Sequence, residues 1–268
     1  MAGGNWRLKG LLSAVPPAFA LMQAGPADAQ RANENAVTAA DDAFGTSIGN
    51  ENVGIYNPDE VRGFSPVAAG NLRLEGLYLG NVTLNNPRLP AGSLIRVGLS
   101  AQGYPFPAPT GIVDYSLKPA GSEPSLSTIL HAGVQTAVEV DAQIPLGPTL
   151  SIAASASASR FRDAPGGDIA DYHMVAVAPA WRPRSGIVIR PYFGINYSPR
   201  DVSTPFTFVS GPHMPPEIPH DTLGQEWAAW ENLFTTYGVV GHATLGAWRI
   251  AAGFINRDLD YRKSFNTL

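Results

Sequence analysis

The second half of the sequence alternates apolar and polar residues, and this pattern most constrains the fold. Within residues 134–144, for example, Val138 and Val140 alternate with Glu139 and Asp141. A period of two, repeated over segments of about ten residues, indicates β-strands that carry two different faces. The same pattern recurs at 150–159, 187–197, 234–245 and 247–256. We therefore predict an antiparallel meander of about seven strands over residues 125–257, with no helix longer than two turns.

Two architectures use such strands. A soluble sandwich buries its apolar faces in a core, whereas a transmembrane barrel turns them toward lipid and keeps polar side chains inside. Here the polar faces are rich in Ser, Thr, Gln and Asn, and only 15% of all residues are charged. The segments also reach the roughly 9–11 residues that cross a bilayer when a strand is tilted. These features favour the barrel.

Loop lengths support the same choice. Short turns are predicted at 145–148, 182–186 and 245–246, and longer loops at 162–168 and 198–225. Short turns at one end and long loops at the other are typical of outer-membrane barrels. Gln135–Thr136 is predicted as an exception, a short turn at the long-loop end.

The N-terminus predicts export. Arg7 and Lys9 precede an apolar segment at 10–25, and the small residues of "ADA" at 27–29 follow. This order is typical of a cleaved signal peptide, with cleavage before Gln30.

The chain has no cysteine, so it contains no disulfide. A net charge of −4 gives no indication of a nucleic-acid partner.

Between these parts lies a segment rich in glycine and proline, residues 53–124. Short strands are predicted at 60–64, 71–79, 93–101 and 111–118. The intervening stretches "NVTLNNPRLPAG" and "QGYPFPAPTG" are predicted as loops, because proline interrupts the hydrogen-bond ladder of a sheet.

Several weak motifs occur here in a specific order. They are Val61-Arg62-Gly63-Phe64, the pair Glu75-Gly76, Arg96-Val97-Gly98-Leu99 and "TGIVDYSLKPAG" at 110–121. Together with the signal peptide and the amphipathic strands, this order resembles the N-terminal portion of a TonB-dependent outer-membrane receptor of the siderophore-receptor type. The Arg-Gly-Pro that usually follows the third motif in that family is replaced here by "SAQGYPFPAP".

The resemblance implies a fold and a domain organisation. It implies an α+β plug domain, with a small mixed sheet and Gly/Pro-rich loops, at 53–124. An antiparallel transmembrane β-meander at 125–268 would follow as part of a 22-stranded β-barrel. Residues 1–29 would be the signal peptide and 30–52 a flexible N-terminus. Since about seven strands cannot enclose a plug, the expectation is a truncated fragment that is inactive alone.

The resemblance also implies a function, that of an outer-membrane receptor or transporter for a ferric siderophore or similar scarce ligand. Its partners would be the ligand, the lipid bilayer of a Gram-negative outer membrane and the TonB complex, with no nucleic acid and no cofactor. Ligand contacts would come from three plug loops, at Arg62, Phe64, Gly80, Asn81, Tyr104 and Phe106. Glu34, Val37, Thr38 and Ala39 resemble a TonB box, which would add to a partner sheet as a strand.

Other readings remain open at this point. The chain could be a small outer-membrane β-barrel or a surface binding protein without TonB coupling, or a secreted soluble β protein. No G-x-S-x-G, H-E-x-x-H or P-loop motif indicates an enzyme. Asp114 and Glu75 are predicted to form salt bridges between plug and barrel. A metal-like group at His213, Glu217, His220 and Asp221 is interpreted as a solvated loop.

Overall fold

The computed structural model describes residues 39–42, 45–48, 61, 63–80, 83–104, 106–108, 110–163, 168–202 and 229–263. In these residues the chain consists of thirteen β-strands and one 3₁₀ segment, Gly98–Gly103. An α+β domain was expected to contain helices, but the described residues contain only this 3₁₀ segment. None of the described residues belongs to a helix long and apolar enough to cross a membrane.

Six strands form a small mixed sheet in the order β2-β1-β5-β6-β3-β4. β1 runs parallel to β5 and β3 runs parallel to β6, and the other neighbours are antiparallel. The strands are β1 (Ala39–Asp42), β2 (Gly45–Ile48), β3 (Leu72–Leu74), β4 (Leu77–Gly80), β5 (Pro90–Arg96) and β6 (Ile112–Leu117). The hairpin of β1 and β2 falls within residues 30–52, and β1 pairs with β5 through main-chain hydrogen bonds.

The boundaries in this sheet differ from the prediction for local reasons. The single strand predicted at 71–79 is a hairpin, because Glu75 and Gly76 both have positive φ, 53° and 78°. Two such residues form a two-residue turn whose twist matches that of the strands. The strand predicted at 93–101 instead spans Pro90–Arg96, since a proline is tolerated as the first residue of a strand. The strand predicted at 60–64 is reduced to an isolated bridge between Val61 and Phe64.

Seven further strands form an antiparallel meander in sequence order, which agrees with the predicted number. Gln135 and Thr136, predicted as a turn, lie inside a strand, and the turn lies at 132–134. The strands are β7 (Ser125–His131), β8 (Gln135–Pro145), β9 (Leu150–Asp163), β10 (Asp168–Trp181), β11 (Ile187–Val202), β12 (Ala229–Leu245) and β13 (Trp248–Lys263).

The meander has an inner and an outer face. Its inner face shares one hydrophobic core with the small sheet. Members of this core from the small sheet are Leu72, Leu74, Ile95, Val113 and Leu117, and from the meander Ala153, Ala176, Ala178, Tyr192 and Val240. Its outer face leaves large apolar side chains exposed, among them Leu130, Val175, Trp181, Phe193, Trp248, Ile250 and Phe254. The alternation in the sequence thus separates a packed inner face from an exposed apolar outer face.

Candidate functional site

The inner face of the meander is shaped by small residues that admit the loop between β4 and β5. A Cβ atom at Gly194 would lie 2.8 Å from both the Asn86 Nδ2 atom and the Leu89 Cδ1 atom. A Cβ atom at Gly253 would lie 2.8 Å from the Leu77 Cδ1 atom. Glycine at these two positions therefore allows the small sheet to approach the backbone of the meander.

Asn86 anchors the same loop by hydrogen bonds. Its side chain is 1% exposed and donates from Nδ2 to the carbonyl oxygens of Val175 (2.8 Å) and Ile195 (2.9 Å). Asn196 of β11 donates in return to the carbonyl oxygen of Asn85 at 2.9 Å. Because these polar groups lie at a buried interface, each bond also avoids the cost of an unsatisfied group.

A cluster of charges links the two sheets nearby. Arg88 donates to Glu139 at 2.7 Å and also to Asp141. Lys118, which follows β6, donates to Asp141 as well, and the Ser155 hydroxyl donates to the same carboxylate. Two cations thus face two carboxylates on the inner face of β8, where the alternation in the sequence placed them.

Glu75 and Arg190 form a second ionic link. Arg190 donates from Nη1 to the Glu75 Oε1 atom at 2.6 Å, and that oxygen also accepts the backbone N–H of Leu117 at 2.8 Å. The predicted role of Glu75 as a salt-bridge partner of the strands is confirmed.

The same prediction is wrong for Asp114. Its carboxylate accepts hydrogen bonds from the Gly76 N–H (2.9 Å) and the Tyr104 hydroxyl (2.8 Å), both in the small domain. The reason is alternation along β6, which places Asp114 on the face opposite the buried Val113. That face points away from the shared core.

On that face a buried arginine lies close to two exposed aromatic residues. Arg73 is 1% exposed, donates to the carbonyl oxygen of Phe106 at 2.8 Å and lies 4.5 Å from the centre of the Tyr78 ring. The rings of Tyr78 and Phe106 are 5.9 Å apart, and their residues are 57% and 74% exposed. We call these three residues the aromatic patch.

Ionisation in this region is shifted by burial. Burial lowers the pKa of Arg73, and the nearby Tyr78 and Asp114 oppose this shift. Burial, together with the charge of Asp114 and the hydrogen bond to it, raises the pKa of Tyr104. Phe106 has a positive φ of 58°, which is uncommon for an aromatic residue. Part of the stabilisation from the hydrogen bond between Arg73 and the Phe106 carbonyl therefore offsets the strain of this backbone conformation.

The structure brings together only some of the predicted ligand-binding residues. Tyr104 and Phe106 lie beside Arg73, and a Cβ atom at Gly80 would lie 3.7 Å from the Tyr78 ring. Phe64 is 56% exposed and pairs through its backbone with Val61. Arg62 and Asn81 lie outside the described residues.

Two other predicted groups fall largely or wholly outside the described part of the chain. Glu34, Val37 and Thr38 lie there, whereas Ala39 begins β1. The residues 213–221 with the metal-like pattern lie there as well. Within the described ranges, no group of three or more His, Cys, Asp or Glu side chains could hold a metal ion.

Arg73 and Tyr78 are site residues that the sequence analysis did not predict. The available signal was a lone arginine between Leu72 and Leu74, which are both fully buried. A charge alternating with two core residues must lie on the opposite face of a strand. That rule identifies the face but not the aromatic partners, which come from a hairpin and a distant loop.

These features define a two-part β protein, in which a small mixed sheet is docked on the inner face of an amphipathic meander. The chain matches no protein-family model and no curated protein. Among solved structures, it is similar to the alcaligin outer-membrane receptor FauA from Bordetella pertussis, at 14% identity and a TM-score of 0.47, over 75% of this chain and 32% of that one.

Two receptors from Pseudomonas aeruginosa are similar to the same degree. The ferric enterobactin receptor PfeA, as its G324V mutant, has 14% identity and a TM-score of 0.49 over 74% of this chain and 34% of that one. The siderophore receptor PirA has 14% identity and a TM-score of 0.47 over 76% of this chain and 35% of that one. The matched regions thus span about a third of each receptor.

Proposed function

We propose that this chain supplies the plug and wall strands of a TonB-dependent outer-membrane receptor for a ferric siderophore or a similar scarce ligand. Residues 53–124 are the plug and 125–268 belong to the wall, after export and cleavage before Gln30. The observation that carries the proposal is that the small sheet binds the inner face of the meander through a shared core and ionic links, while the outer face exposes large apolar side chains. A lipid bilayer accommodates that apolar face.

The proposal requires more strands than the meander contains. In the described residues, β7 and β13 are the two edges of the sheet and pair on one side only. Each unpaired backbone N–H or C=O group in hydrocarbon costs several kcal/mol. Both edges therefore pair with further strands, in our proposal those of a 22-stranded barrel, when the wall lies in a membrane.

The aromatic patch is the proposed ligand contact of the plug. Tyr78 and Phe106 are exposed aromatic residues, and the Arg73 guanidinium lies 4.5 Å from the centre of the Tyr78 ring. An anionic, aromatic or carbonyl-rich iron chelate suits such a surface, since rings stack and a cation attracts negative oxygens. Phe64, Gly80 and Tyr104 are proposed to support this contact, together with Arg62 and Asn81.

The proposed energy input is a pull on residues 34–40 by TonB. Ala39 and Ala40 pair with Leu94 and Ile95 in a short parallel register. A partner that takes up this segment as a strand competes for the same main-chain groups. Removal of β1 from β5 is therefore the first step by which such a pull reaches the plug.

Binding by the full chain in detergent tests the ligand contact. We expect one member of a panel of ferric catecholates and hydroxamates to quench tryptophan fluorescence, with binding weakened about 3- to 10-fold by Phe106→Ala. Leu99→Ala is the matched control, because Leu99 is 70% exposed in the same domain but lies outside the patch. An equal loss in both variants, or no binding to any chelate, would contradict the proposal.

Uptake tests the wall. In a strain without its own receptors, residues 1–268 alone are expected to give no energy-dependent uptake, because the wall is open. Co-expression of a complementary barrel segment is expected to restore it. Uptake by residues 1–268 alone would favour a small closed barrel instead.

A further inference from the structure

A groove on the outer face of the meander combines apolar and basic side chains. It lies across β7 to β10, at the end opposite the short turns 146–149 and 182–186. Its apolar side is formed by Leu130, Val134 and Val138, which are 77%, 61% and 40% exposed. Its basic side is formed by Arg160 and Arg162, which alternate along β9 and so share one face.

The basic side carries more positive than negative charge. Asp171 lies opposite Arg160 on one neighbouring strand and opposite Arg200 on the other. Arg160 donates to both carboxylate oxygens, at 2.5 and 3.0 Å. The side chain of Arg162 is exposed and has no partner among the residues that the structure describes. Among the described residues that line the groove, Arg160 and Arg162 thus accompany one carboxylate, that of Asp171.

We propose that this groove binds a phosphate-bearing lipid of the surrounding bilayer, with the phosphate at Arg160 and Arg162 and an acyl chain along Val138. The inference rests on the proposed placement of the meander in a membrane. Charge complementarity identifies the headgroup, because guanidinium groups bind phosphate through paired hydrogen bonds.

The apolar side selects a lipid over a soluble anion. Leu130, Val134 and Val138 are large enough to cover hydrocarbon, and they contribute nothing to the binding of an inorganic ion. The arginines also lie at the strand ends, where the apolar band of a membrane protein meets the headgroups. Basic side chains at that depth attract anionic lipids.

Titration of short-chain lipids into the detergent-solubilised full chain tests the proposal, with bound lipid counted by native mass spectrometry. We expect dioctanoyl phosphatidylglycerol to bind at least about tenfold more tightly than dioctanoyl phosphatidylcholine, since each basic residue near a surface contributes roughly fivefold. Arg160→Gln with Arg162→Gln should remove this preference. Arg184→Gln with Arg249→Gln is the matched control, because both arginines are exposed near the short turns at the other end.

Further variants and a competition experiment distinguish lipid binding from a folding defect and from the binding of a soluble anion. The Arg160→Lys and Arg162→Lys pair should keep the part of the preference that depends on charge, which guards against a folding defect in the glutamine variant. Leu130→Ser with Val138→Ser should weaken both lipids. Equal binding of the two lipids, or displacement of phosphatidylglycerol by equimolar inorganic phosphate, would overturn the proposal. The siderophore titration tests the aromatic patch, which lies outside this groove. A negative siderophore result therefore does not prevent interpretation of the lipid titration.

Discussion

Arg190 of β11 donates a hydrogen bond of 2.6 Å to Glu75, whose backbone adopts a positive φ of 53°. The same carboxylate oxygen accepts the N–H of Leu117. The hairpin turn of the small sheet is therefore tied both to the end of β6 and to the meander. A glutamate costs more than asparagine or glycine in this conformation, and these two bonds offset the cost.

Removal of this carboxylate should loosen the link locally. In Glu75→Ala, we expect the amide of Leu117 to exchange with solvent about 10- to 100-fold faster, because a hydrogen bond to a charged group contributes roughly 1.5–3 kcal/mol. Hydrogen exchange with mass spectrometry measures this rate. Glu123→Ala is the control, since Glu123 is exposed in the following loop. Unchanged exchange at Leu117 would show that the carboxylate does not hold the turn.

Asp141 should contribute more to stability than its neighbour Glu139. In Asp141→Asn, we expect the free energy of unfolding to fall by about 3 kcal/mol, because Arg88 and Lys118 remain at the interface without that charge. Glu139→Gln should cost roughly 1 kcal/mol, since Glu139 is more exposed than Asp141 (22% against 13%) and pairs with Arg88, whereas Asp141 pairs with both Arg88 and Lys118. Urea unfolding followed by circular dichroism measures both, and equal losses would refute the ranking.

Gly194 should tolerate no side chain. In Gly194→Ala, we expect a loss of about 1–3 kcal/mol in the free energy of unfolding, because the new Cβ overlaps Asn86 and Leu89. Gly241→Ala on the next strand is the matched control, since its Cβ would meet no atom closer than 3.8 Å. Urea midpoints compare the two variants. If Gly194→Ala is as stable as Gly241→Ala, the loop that carries Asn86 and Leu89 does not pack against Gly194.

The raised pKa of Tyr104 predicts a loss of stability in alkali. The folded state holds the phenolic proton more tightly than the unfolded chain, so its contribution is complete below pH about 10 and declines as the pH rises above that value. In Tyr104→Phe, we expect the free energy of unfolding to fall less steeply between about pH 10 and 12 than in the parent, with a difference in slope that approaches one proton. Tyr261→Phe, at an exposed tyrosine, serves as the control. Parallel pH profiles for the parent and Tyr104→Phe would contradict the prediction.

Much of the meander could be predicted from the sequence. Alternation gave the seven strands and the inner position of Glu139 and Asp141, because a side chain's face depends only on its place along a strand. The turn at Gln135–Thr136 was placed wrongly. The apolar pattern continues from Val134 into β8, so alternation alone does not mark where the strand begins. The hairpin at Glu75–Gly76 was missed for a similar reason, since period two continues across it in Leu72, Leu74 and Leu77.

By itself, then, the sequence determined the periodicity, the two faces of the meander and the order of the motifs, all of which depend on neighbouring residues. Only the tertiary structure decided which distant groups meet. Asn86 bonds the carbonyl oxygen of Ile195, 109 residues away, and Arg73 meets Phe106 across a loop. Such contacts depend on the register between strands and on the docking of one sheet against another. A one-residue change of register would turn each side chain to the opposite face, and no local pattern fixes that choice.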